Sequence, residues 1–264
     1  MCYNLKGDNM NKFYNKSELG FAIFWIVVYV VMASVADGIS TTIGMEKSVT
    51  SIVLVTISVI LLFWMIRNNL TERYGVFLPK YKAKYCLYYI PLVLMVSVNL
   101  WLGIKLNYSI MESILYIISM LCVGFLEEII FRGFLFKAMS KDNVLSAIIV
   151  SSITFGIGHL INLFTGGGYS VVGGICQVFY AMAAGFLFVV IFYRGGSLIP
   201  CIITHGLFNA LSCFMNYSKV TVINDIIISI ILIVINVGYA LILLKLLPSN
   251  IDKQLLDDKS KYKQ

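Results

Sequence analysis

Two adjacent carboxylates with an arginine four residues beyond the second, Glu127-Glu128-Ile129-Ile130-Phe131-Arg132, lie inside a long apolar run of this 264-residue chain. Its only two histidines lie in two further apolar runs, each with a companion at helical spacing: Phe155 four residues before His159, and Asn209 four residues after His205. A carboxylate and an imidazole that meet at one water can take its proton and make it a nucleophile. An imidazole and a carboxamide on one helix face can both donate to an oxygen that gains charge in the transition state. These are the residue types of a hydrolytic site, and charge among so many apolar residues is expensive enough that function is the first explanation for it.

Helix geometry sorts the groups. Neighbours point about 100° apart, while residues four apart share a face. Glu128 therefore pairs with Arg132, with the acid on the favoured N-terminal side, and Glu127 faces elsewhere, free to act as a general base. The plainer alternatives are a structural ion pair, a carboxylate satisfied by hydrogen bonds between helices, and histidines that simply fill the core. Metal competes for the same atoms, because Glu127, His159 and His205 could hold zinc with a fourth position open. The chain has no His-Glu-x-x-His helix, so a cofactor-free glutamate mechanism ranks ahead of a zinc-dependent one.

Elements able to hold polar groups at such depth must be membrane helices. Hydrophobic residues make up 59% of the chain and charged residues 12%, with a mean hydropathy of +0.89; a water-soluble domain of this length could not hide so much apolar surface in one core. Runs near the ~20 residues that span a bilayer recur at 19–36, 49–66, 86–104, 111–131, 144–162, 175–193, 198–214 and 226–246. The expected architecture is all-α, a polytopic membrane protein of about eight transmembrane helices forming one integral domain over 1–264. Glu127 then lies towards one end of its span while His159 lies late in the next, so their convergence requires boundaries shifted from the hydropathy pattern.

Charge supports the segmentation. Of the 20 basic residues, 17 fall in the two tails and in the connections 67–85, 132–143 and 194; only Lys47, Lys105 and Lys219 fall in the opposite loops. That asymmetry predicts an even number of spans with both termini cytoplasmic. The net charge of +7 reads as topology and contact with anionic lipid, with no basic stripe of the kind nucleic acid requires. Ser34-Val35-Ala36 resembles a signal-peptide cleavage site, but removing 1–36 would break the charge alternation, so the first helix is expected to stay. The six cysteines show no C-x-x-C spacing, and neither disulfides nor a zinc finger is expected. Gly166-Gly167-Gly168 with Gly173-Gly174 reads as a flexible outer turn or a gate. Residues 133–143 read as an extension of the fourth span, with Phe134, Leu135 and Phe136 in the acyl boundary and Lys137 and Lys141 reaching headgroups.

Glu127-Glu128-x-x-x-Arg132, Phe155-x-x-x-His159, and Gly196-Ser197-Leu198-Ile199-Pro200 leading into His205-x-x-x-Asn209 resemble, in that order, the motifs of the CPBP (Abi) family of CAAX proteases and bacteriocin-processing enzymes. The resemblance covers about 110–215. It implies an eight-helix intramembrane endopeptidase in which Glu127 and His159 activate water, His205 and Asn209 hold the oxyanion, and Glu128, Arg132 and Phe155 support them. The implied substrate is a membrane-associated peptide or a lipid-anchored protein tail, and the implied location a bacterial plasma membrane. The same family contains bacteriocin-immunity and scaffold proteins, so a non-catalytic role is the alternative.

Overall fold

A computed structural model describes residues 9–79, 89–164 and 170–246. Within them the regular elements are helical, apart from one isolated antiparallel bridge between Ile104 and Met215. The main helices are α1 (Asn9–Lys16), α2 (Glu18–Ile43), α3 (Ser48–Arg67), α4 (Ile90–Ser97), α5 (Ile110–Glu127), α6 (Val144–Gly158), α7 (Val171–Gly195), α8 (Ile199–Leu211) and α9 (Val222–Leu246). Helix α5 continues without a break as a π-helical segment, Glu128–Phe136, and a last α turn, Lys137–Met139. Six segments are long and apolar enough to cross a membrane: Glu18–Ile43, Ser48–Arg67, Ile110–Met139, Val144–Leu163, Val171–Gly195 and Val222–Leu246. Two shorter apolar helices, Ile90–Leu100 and Ile199–Phe214, stand at the other two expected positions. The protein is an all-α integral membrane protein, in which helices satisfy their own backbone where water is absent.

Helix ends follow local chemistry. Ser109 opens α5 with a full capping box, its side chain on the amide of Glu112 and the Glu112 side chain on the amide of Ser109, which satisfies two orphan donors at once. Asn143 and Ser170 cap α6 and α7 in the same sense. The two short helices end against each other. Asn107 donates to the carbonyls of Cys213 and Met215, the amide of Lys105 donates to Phe214, and the Asn99 side chain donates to Phe208. Carbonyls at the end of α8 are thereby paired without the helix having to reach a membrane surface.

One expectation is corrected. Phe134, Leu135 and Phe136 do not sit in lipid: all nine residues of the π segment are buried. Phe134 packs edge-on against Phe21, Trp64 and Tyr74, so an aromatic cluster built by α2, α3 and the loop after α3 replaces the acyl chains. Lys141 pairs with Glu18 at 2.6 Å, and Arg73 meets the other oxygen of Glu18 at 2.6 Å.

Those pairs gather the basic connections at one end of the bundle. There the amide of Leu198 donates to Gly75 and the Ser197 hydroxyl to Phe77. At the other end Lys47 pairs with Asp37 at 2.8 Å and the Glu46 amide donates to Glu112. The connections that the charge count assigns to one side of the membrane are thus together in space. Lys80, Lys82, Lys84, the C-terminal tail and Gly166-Gly167-Gly168 lie outside the described residues.

Helix α7 is the axis of the C-terminal half, flanked by α6 and α9; α8 lies against α5 and α4; α2 and α3 close the N-terminal side on α5 and its π segment. Helix α2 is thus integral to the bundle, at positions a cleavage after Ala36 would remove.

Candidate active site

Glu127 is the last residue of α5 and Glu128 the first of the π segment. Bonding i to i+5 widens the turn there, a distortion common at functional sites, and both carboxylates meet one imidazole. His205 Nδ1 lies 2.9 Å from Glu128 Oε1, and His205 Nε2 lies 3.6 Å from Glu127 Oε2. A carboxylate can only accept, so Nδ1 carries the hydrogen towards Glu128. Glu127 Oε1 accepts from the Tyr29 hydroxyl at 2.6 Å, while Glu127 Oε2 is buried without a hydrogen bond.

Glu128 and Arg132 form the pair their spacing predicts. Arg132 Nη1 stands 3.2 Å from Glu128 Oε1, and both side chains are fully buried. The guanidinium lies 4.0 Å over the Phe155 ring and 5.6 Å from that of Phe188, so π faces cover what the single carboxylate does not.

His205 reaches the carboxylates because α8 crosses α5 at glycines. A Cβ on Gly124 would stand 2.5 Å from the backbone nitrogen of Gly206 and 2.6 Å from its Cα, and backbone cannot yield as a side chain can. Gly124→Val is expected to push α8 away, lowering activity at least tenfold along with the melting temperature; wild-type turnover and stability in that variant would show the crossing to be looser than described.

His159 closes the helical turn after α6, its Nδ1 3.0 Å from the Phe155 carbonyl. The carbonyl accepts, so Nδ1 holds the hydrogen and Nε2 is left with its lone pair. Phe155 is the common neighbour: its ring centroid is 5.1 Å from that of His159 and 5.6 Å from that of His205. The longer fourth span, which runs on to Met139, sets Glu127 deeper in the bundle than the hydropathy boundaries do, towards the level of His159.

A cleft lined by Phe155, His159, His205 and Asn209 joins the two predicted histidine motifs. Its ≈ 70 Å³ open to a water-sized sphere exceeds the ~10–15 Å³ that one water needs. Both histidines and Asn209 therefore line one cleft, and His205 connects it to the two carboxylates. Sequence reasoning missed Tyr29, whose signal was its position four residues after Trp25 and eight after Phe21, on the buried face of α2. It also missed Asn99, Gln177 and Asn236, three amides that line the same cleft.

As a zinc set, Glu127, His159 and His205 fit poorly. Among the described residues no three His, Cys, Asp or Glu side chains are grouped to hold a metal ion.

Residues 109–211 match the family model described as type II CAAX prenyl endopeptidase Rce1-like. The match agrees with the resemblance of the motifs to the CPBP, or CAAX protease, family, and the matched segment contains every residue of the three motifs. No curated protein and no solved structure matches the chain.

Proposed function

We propose that this chain, with its CAAX-protease-family domain at 109–211, hydrolyses a peptide bond in a membrane-associated peptide or a lipid-anchored protein tail, without a metal. The observation that carries the reading is Glu127 Oε2, a buried carboxylate oxygen with no hydrogen bond, 3.6 Å from His205 Nε2. Glu127 takes a proton from water at Oε2 while the Tyr29 hydroxyl holds its other oxygen. The lone pair on His159 Nε2 orients the same water. The hydroxide formed adds to the peptide carbonyl, and the carbonyl π electrons move to oxygen. Asn209 and a protonated His205 Nε2 donate to that oxyanion. Collapse breaks the C–N bond, and the proton held by Glu127 passes to the departing amine, which leaves Glu127 ionised for another cycle.

The test uses purified protein in liposomes and two internally quenched peptides of equal length. One is S-farnesylated and ends in Cys-aliphatic-aliphatic-X, the prenylated sequence type; the other is unmodified and apolar. Asn209→Ala is expected to lower kcat by about 100- to 1000-fold with KM little changed, as loss of one preorganised donor does. A strong chelator is expected to leave the wild-type rate unchanged. Chelator-sensitive cleavage restored by zinc overturns the metal-free mechanism. Failure to cleave either peptide, at a wild-type rate no higher than that of Glu127→Gln, favours a non-catalytic immunity or scaffold role.

A further inference from the structure

Helix α9 lies beyond the matched segment 109–211 yet forms one wall of the cleft. Asn236 lines that cleft beside His159 and His205. Its side chain is wholly buried, and neither its carboxamide oxygen nor its nitrogen has a hydrogen bond. An orphaned amide costs stability at a buried position, and nothing in the helix packing requires one.

A second cavity adjoins the first, sharing Asn99, Tyr180, Phe208, Met215 and Leu232 as its wall. Asp225, Ser229 and Leu232 line this second cavity. With Asn236 they recur at intervals of four, three and four, which is one face of a helix. From Asp225 to Asn236 is about 16 Å along the axis, the length of about five extended residues. Asp225 is the one acidic or basic side chain in the two linings apart from the histidine pair. A neutral, extended peptide matches this space.

We propose that this face of α9 is the substrate groove and that Asn236 pairs with the peptide backbone next to the scissile bond. A carboxamide offers one acceptor and two donors, so it can accept from a peptide N–H and donate to the C=O of the same residue. The proposal rests on the endopeptidase reading for the identity of the peptide, but not for the contact itself.

Binding is measured by anisotropy of the unmodified apolar peptide, fluorescently labelled, on Glu127→Gln protein, which holds the peptide without cutting it. Adding Asn236→Leu or Asn236→Ala is expected to weaken affinity about tenfold, the effect of one to two lost hydrogen bonds. Because leucine fills the site without an orphaned amide, Asn236→Leu is also expected to raise the melting temperature of the empty protein by about 2–4 °C. Unchanged affinity in both variants, or a lower melting temperature for the leucine variant, overturns the proposal. Cleavage by the wild type with affinity untouched by Asn236→Leu refutes the groove alone. Peptide binding that depends on Asn236, with no cleavage by the wild type, refutes the endopeptidase reading alone.

Discussion

Glu127→Gln is expected to abolish measurable cleavage, a loss of about 1000-fold or more, while the protein stays folded in detergent. The substitution keeps the side chain's shape and leaves an oxygen able to accept from Tyr29, which now bonds Glu127 Oε1 at 2.6 Å. It removes the one atom the mechanism cannot spare, a carboxylate oxygen that takes a proton, and general-base catalysis supplies about 10²–10⁴ in rate. The amide also places an N–H or a carbonyl opposite His205 Nε2, where the carboxylate oxygen stands at 3.6 Å, so the imidazole loses one of its two charged neighbours as well. Initial rates on the farnesylated and unmodified peptides, with the melting temperature recorded alongside, check both halves of the expectation. Near-normal turnover of either peptide would remove Glu127 from the role of base.

Glu128→Gln is expected to fail differently, by unfolding. Arg132 is fully buried, and the carboxylate of Glu128 is the acid within 4 Å of it. Guanidinium stays charged at any working pH, so removing its partner leaves a positive charge in an apolar interior; breaking such a pair costs about 3–5 kcal/mol. The π faces of Phe155 and Phe188 recover part of that, about 0.5–2 kcal/mol. For a protein of this size the net loss lowers the melting temperature on the order of 10 °C. His205 also loses the acceptor for its Nδ1 hydrogen, at 2.9 Å, so activity falls with stability. The double variant Glu128→Gln/Arg132→Met separates the effects: it is expected to recover most of the melting temperature, since a buried pair replaced by neutral groups of similar volume is near neutral, and to stay inactive. A single variant as stable as wild type would mean that Arg132 is satisfied by something other than Glu128.

The spacing Glu128-x-x-x-Arg132 predicts an ion pair, and the pair is there, because residues four apart meet on a helix wherever that helix goes. Eight apolar runs likewise predict the helices, since bilayer thickness sets a length that shows directly in sequence. The fourth span does extend past Arg132, to Met139, but hydropathy does not distinguish why Gly133–Phe136 is apolar: the segment is buried in protein, with Phe134 against Phe21, Trp64 and Tyr74, rather than in lipid. The two shorter spans stand where the apolar runs put them, at Ile90–Leu100 and Ile199–Phe214. Their length is set by Asn99 and Asn107 tying one helix end to the other, and side chains that satisfy another segment's carbonyls leave no periodic mark.

Local periodicity and composition, then, carry the class of the protein, its segmentation, the sidedness of its basic residues and the short list Glu127, Glu128, Arg132, Phe155, His159, His205 and Asn209. All of these depend on neighbours in sequence or on averages over a window. Which of those residues meet is a matter of helix crossings. That His205 stands between both carboxylates depends on Gly124 and Gly206 letting two backbones touch and on a π turn that begins at Glu128. That Tyr29 reaches Glu127 from 98 positions away, and that Asn236 enters the cleft from the last helix, depend on how α2 and α9 are rotated about their axes. Rotation is decided by the packing of whole faces, through contacts between residues far apart in the chain, and a helix that is apolar all round carries no stripe from which to read it.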